Sequence, residues 1–121
     1  MIDLDHIDAA DLPGEIAVSA ITMAELAAGP HATTDAAERA RRQDRLQRAE
    51  ATFEPLPVDA SVARAYGRLY AAVGAAGRKA RGRRALDLLI AATAVAAGYP
   101  LYTRNPDDFA GLSELVEIIP L

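Results

Sequence analysis

The 121-residue chain contains no cysteine and no tryptophan, and only 5% of its residues are aromatic. Without cysteine there are no disulfides, no thiolate metal site and no thiol nucleophile. That composition suits a reducing compartment. No apolar run approaches the roughly 20 residues needed to span a membrane. The first residues, Met1-Ile2-Asp3-Leu4-Asp5-His6, are acidic and lack the basic-then-apolar build of a signal peptide. A cytoplasmic protein with no membrane partner is the expectation. An excess of positive charge is also lacking: the net charge of −4 argues against nucleic-acid binding by bulk charge, though not against a local basic patch.

Hydrophobic residues make up 51% of the chain, and many are alanine. Alanine with arginine preferred to lysine favours helices. The length suffices for one domain, residues 1–121, with its own core. Residues 1–11 are weakly patterned, and Leu12-Pro13-Gly14-Glu15 signals a turn. Ile16 to Ser19 reads as a short buried strand. Ser19 caps a helix over Ala20–Ala28, which Gly29-Pro30 stops. His31 to Thr34 reads as a loop. Thr34 or Asp35 then caps a long charged helix through about Thr52, whose opposite charges at i,i+3 and i,i+4 describe a solvated face. Prolines make 54–58 extended. Asp59 or Ser61 caps a helix over Val62–Val73, where Tyr66, Leu69 and Tyr70 fall at core spacing, and Gly74 and Gly77 end it.

Arg78-Lys79-Ala80-Arg81-Gly82-Arg83-Arg84 reads as a basic loop. The helix after it, ending at Gly98, is apolar nearly all round and so belongs between other elements. It bears one carboxylate, Asp87, read as lying in its first turn. Two accounts fit that acid. It can satisfy the positive end of the helix, or it can face a cleft and hold a divalent cation. Leu101 to Thr103 reads as a strand with a polar exit at Arg104-Asn105-Pro106-Asp107-Asp108-Phe109, and Val116 to Ile119 as a last strand. Alternating strands and helices imply an α/β fold with a mostly parallel central sheet and helices on both faces. In such sheets function gathers beyond the carboxyl ends of the strands. Glu25, Asp87 and the Asn105–Asp108 exit all fall there. Several carboxylates at one place need a cation, and hard oxygen donors suit Mg2+ or Mn2+. His6 and His31 stand alone and read as surface residues. No glycine-rich phosphate loop follows a strand, which disfavours a flavodoxin-type phosphate binder.

The run Val18 to Leu26 with Glu25 resembles the second-acid motif of the PIN domain. Leu56-Pro57-Val58-Asp59 with Ala65-Tyr66 resembles the middle of that family. Asp87 to Ala94 resembles the helix with its third acid, and Leu101 to Asn105 with Asp107-Asp108-Phe109 its last motif. Together these resemble the VapC toxins of type II toxin–antitoxin pairs. The resemblance implies a three-layer α/β/α domain and an Mg2+-dependent endoribonuclease that cuts RNA of the tRNA or rRNA class. It also implies a homodimer neutralised by a VapB-type antitoxin.

Glu25 and Asp87 match the second and third acids, as catalytic residues and metal ligands. Asn105 falls on the fourth position as a ligand, with Asp107 or Asp108 supplying nearby charge; Asp108 also fits as a helix cap before Phe109. Thr103 either orients a ligand or ends a strand. Arg81, Arg83 and Arg84 in the basic cluster would contact RNA phosphates, or else form a solvated loop or partner-docking surface. The family's opening strand, ending in Asp-Thr-Ser or Asp-Thr-Asn, has no match here. The expectation is a start chosen too late or a shortened chain, with the N-terminal strand upstream of Met1. The alternative function is a catalytically impaired PIN-like module that binds an antitoxin.

Overall fold

A computed structural model describes Met1 and residues 17–75 and 82–121. Four helices dominate it: α1 (Ala20–Ala28), α2 (Ala36–Thr52), α3 (Ala60–Ala75) and α4 (Arg83–Ala97). Two short strands follow, β1 (Leu101–Thr103) and β2 (Ile118–Pro120), paired in parallel with Leu101 opposite Ile118. A second parallel pairing joins Ser19 to Leu56. Its hydrogen bonds run from the Ala20 N–H to the Leu56 carbonyl and from the Leu56 N–H to the Val18 carbonyl, both at 2.8 Å.

Local chemistry sets the helix starts. The Ser19 hydroxyl accepts from the Thr22 N–H at 3.0 Å. Asp35 does the same for Glu38 at 2.9 Å, and Asp59 for Val62 at 3.1 Å. Each satisfies a donor that a helix N-terminus leaves orphaned. α4 ends on Gly98 in the left-handed region (φ 73°), its N–H returning to the Ala94 and Val95 carbonyls.

The layering follows from the side chains of β1. Leu101 packs with the buried cluster of Val62, Ala65, Leu69 and Val73 from α3 and Leu88, Ile90, Ala91 and Ala94 from α4. Tyr102 packs instead with Val18, Ala49, Met23, Leu26 and Phe53, on the α1–α2 side. Consecutive strand residues face opposite ways, so β1 lies between two apolar layers. The α/β reading with parallel pairing and helices on both faces is what the structure has. Met1 belongs to the same core at 5% exposure, and lies beside β1. Its amino group donates to the Pro100 carbonyl at 2.7 Å, and its carbonyl accepts from the Tyr102 N–H at 2.9 Å.

Several local readings need correction. Residues Gly29–Ala32, read as a stop and loop, form a 3-10 helix. The last strand begins two residues later than Val116, because Val116 turns inward as a buried core residue instead of pairing. α3 continues through Gly74 to Ala75; Gly77 lies outside the described residues. Tyr70, at core spacing, is 56% exposed. The buried stripe of α3 is Val62, Ala65, Leu69 and Val73, which leaves Tyr70 to one side, its ring centroid 6.2 Å from that of Tyr66 and tilted by 36°. His31 is exposed as expected, and His6 lies outside the described residues. Among the described residues no helix is long and apolar enough to cross a membrane.

Candidate functional site

Glu25 and Asp87 come from different helices and meet at one guanidinium. The parallel pairing at Ser19 fixes where the chain turns from extended to helical, so α1 leaves from the carboxyl end of that strand fragment. Glu25 lies in the second half of α1, with its side chain 23% exposed. α4 packs against α1. Arg83 Nη1 donates to Glu25 Oε2, across 58 positions of sequence. Its Nε lies 3.5 Å from Asp87 Oδ1, an i,i+4 pair on α4. The two carboxylates thus face a shared cation, and the three side chains together carry one net negative charge.

Asp87 is 5% exposed. Its position three, four and seven residues before Ile90, Ala91 and Ala94 explains why, since those residues share its face and are fully buried. It is not a first-turn acid. α4 begins at Arg83, so Asp87 is its fifth residue, and no acid occupies the first turn. The cause is plain: α4 takes in Arg83 at the end of the basic run, which sets Asp87 one turn further along the helix. The helix-start account of Asp87, as a cap or dipole partner, therefore fails. Gly82 makes the turn into α4 at φ 55°, ψ −127°, backbone that L side chains adopt only with strain, and it supplies no side-chain cap.

The exit of β1 is the other candidate region. Thr103 is fully buried, and its hydroxyl accepts from the Asn105 N–H at 3.0 Å. That bond fixes how the chain leaves the strand. Asn105 precedes a 3-10 helix, Pro106–Phe109, that packs against α4. Asp107 and Asp108 lie within that helix and are exposed. Asp108 is not its cap; that position belongs to Asn105, whose carbonyl accepts from the Asp108 N–H at 3.0 Å. Among the described residues no group of three or more His, Asp or Glu is placed to hold a metal ion. The structure therefore joins Glu25, Asp87 and Arg83, while Asn105, Asp107 and Asp108 lie on a neighbouring element. Of the basic cluster, Arg84 is half-buried in the first turn of α4; Arg78, Lys79 and Arg81 lie outside the described residues. Arg83's pairing with both acids is what sequence reasoning missed. Half of it was readable, since Arg83 and Asp87 stand four apart.

The PIN domain family matches residues 3–115 of this chain. Ribonuclease VapC5 of Mycobacterium tuberculosis is 38% identical over 116 residues, covering 94% of this chain and 82% of that protein. Ribonuclease VapC8 of the same species is 42% identical over 85 residues, covering 70% of this chain and 74% of its own. Among solved structures, VapBC-5 of M. tuberculosis, a member of the VapBC family of toxin–antitoxin systems, superposes with a TM-score of 0.80. It is 38% identical and the match covers 94% of this chain and 88% of that one. FitAcB of Neisseria gonorrhoeae, 24% identical, shares the fold with a TM-score of 0.74 over 98% of this chain and 94% of its own. Family, fold and the order of the acidic motifs agree: the chain belongs to the PIN-domain family, and within it to the VapC ribonucleases of toxin–antitoxin systems.

Proposed function

We propose that this chain is a divalent-metal-dependent endoribonuclease, using Mg2+ or Mn2+, that cuts RNA of the tRNA or rRNA class and is held in check by a VapB-type antitoxin. The observation that supports it is the convergence of Glu25 and Asp87, from separate helices, on one cationic group. The donor chemistry fits a hard cation: carboxylate oxygens, no thiolate and, among the described residues, no imidazole at the site. Glu25 and Asp87 would hold the ion, with Asn105 as a further oxygen donor. A divalent ion in such a place supplies Lewis-acid stabilisation of a phosphodiester and lowers the pKa of water.

The chain's own residues do the rest. Asp87 is held against the core, so its carboxylate is positioned before substrate arrives. Thr103 holds the Asn105 backbone. Asp107 and Asp108 add negative charge at the exit of β1. Arg81 and Arg84 contact the RNA backbone, and Arg83 does so once it leaves the acids. We take residues 1–121 as one domain and the working toxin as a homodimer; relatives solved as VapBC complexes support the antitoxin partner.

Incubation with total RNA tests the reading. Cleavage is expected with Mg2+ or Mn2+, lost in EDTA and reduced at least ~100-fold by Glu25→Gln. Cleavage indifferent to both would refute it. A second reading, an antitoxin-binding PIN-like module without activity, draws on the fact that Arg83 already engages both acids. Stable capture of the VapB-type antitoxin by a chain that cuts no RNA with either metal would favour it.

A further inference from the structure

We propose that Arg83 is a built-in competitor for the metal: its guanidinium stands between Glu25 and Asp87, and a divalent cation binds only as that side chain swings away. The inference rests on the metal reading above and goes beyond it, because it assigns a regulatory contact within this chain.

Three observations support it. The first is the shared contact itself, one Arg83 guanidinium paired with the carboxylates of both Glu25 and Asp87. A hard divalent ion would use the same oxygens. Two cations cannot occupy that position together, since a charge of +2 within a few ångströms of +1 repels it strongly. The second is position. Arg83 is the first residue of α4. A helix N-terminus carries partial positive charge and favours anions, so a cation there is at the wrong end. The two carboxylates offset that repulsion, so Arg83 loses its compensation once their oxygens turn to another cation. The third is freedom to move. The Arg83 side chain is 51% exposed, whereas that of Asp87 is 7% exposed. Asp87 is held in the core, and the arginine is the more exposed partner, on a long stem beside the Gly82 turn.

The released guanidinium would lie at the rim of the acidic site, next to Arg84. An RNA phosphate there would meet a planar, bidentate donor. Metal loading would thus convert an internal counter-ion into a phosphate contact, and metal-poor protein would hold its carboxylates blocked.

Mn2+ binding measures this directly, by electron paramagnetic resonance of the free ion or by calorimetry, without RNA. Arg83→Gln should tighten the Mn2+ Kd at least ~5-fold relative to the unaltered protein. Arg83→Lys, which keeps the charge but not the fork, should fall between the two. Asp87→Asn should lose binding. Thermal unfolding of each protein with and without Mn2+ provides a parallel readout, since a ligand that binds only the folded state raises Tm. An Arg83→Gln Kd equal to or weaker than that of the unaltered protein would overturn the competitor role while leaving the metal site standing. Absence of Mn2+ binding by both would instead overturn the metal reading itself.

Discussion

Replacing Asp87 with asparagine separates a structural acid from a functional one. The pair it breaks is unequal. Asp87 is almost wholly buried, and Arg83, 3.5 Å away, is half exposed. At that distance and an effective dielectric of about 20, the bare attraction is about 5 kcal/mol. Solvent around Arg83 screens it to roughly 1 kcal/mol net, the range of exposed pairs. Against this stands the penalty for holding an ionised carboxylate out of water, several kcal/mol before compensation. Asparagine keeps the size and removes the charge, and Arg83 keeps its contact with Glu25. Asp87→Asn should therefore shift stability by no more than about 1 kcal/mol in either direction, roughly 5 °C in Tm. RNA cleavage by the same protein should fall at least ~100-fold. Urea unfolding read by circular dichroism gives the first number, with an unchanged m-value confirming that only stability moved. A loss above about 3 kcal/mol, with cleavage per folded molecule intact, would refute the reasoning. It would mean that Asp87 holds the first turn of α4 in place through Arg83 and has no part in chemistry.

Two further outcomes follow from the packing and the surface. Ile90, fully buried in the core that α4 shares with α3, should cost about 2–5 kcal/mol on change to alanine, measured by the same unfolding curves; a loss under 1 kcal/mol would mean the core collapses to fill the gap. Glu38 donates nothing but accepts from Arg41 and then from Arg42, and these bonds hold its carboxyl below the usual glutamate range. A depressed folded value means the group stabilises the fold above its unfolded pKa of 4.5, and the contribution disappears as pH falls through the lowered value. The Tm difference between the protein and Glu38→Gln should be small near neutrality and vanish in strong acid; a difference that grows with acidity would reverse the sign and refute it.

Local chemistry was legible because it acts over three or four residues. Ser19, Asp35 and Asp59 announce helix starts by oxygen atoms that reach the third residue on, and Gly98 announces an end by its freedom at positive φ. The order of acids along the chain was legible too, which is why the family could be recognised from motifs. The sequence could not say how the register of α4 would run. Whether Arg83 and Arg84 are loop or helix is decided by where the Gly82 turn places them, and that choice moves Asp87 out of the first turn and onto a buried face.

Tertiary contact decided the rest. Tyr70 has the spacing of a core residue, yet the direction of α3 against α4 leaves it in solvent. Val116 has the branching of a strand residue, yet the core takes it. Glu25 and Arg83 are 58 residues apart, and nothing local links them. Sequence determined which groups carry charge and where helices begin. Only the packing of α1 on α4 determined that two negative charges and one positive charge share a single place, because electrostatic energy depends on separation in space and chain position does not fix that separation.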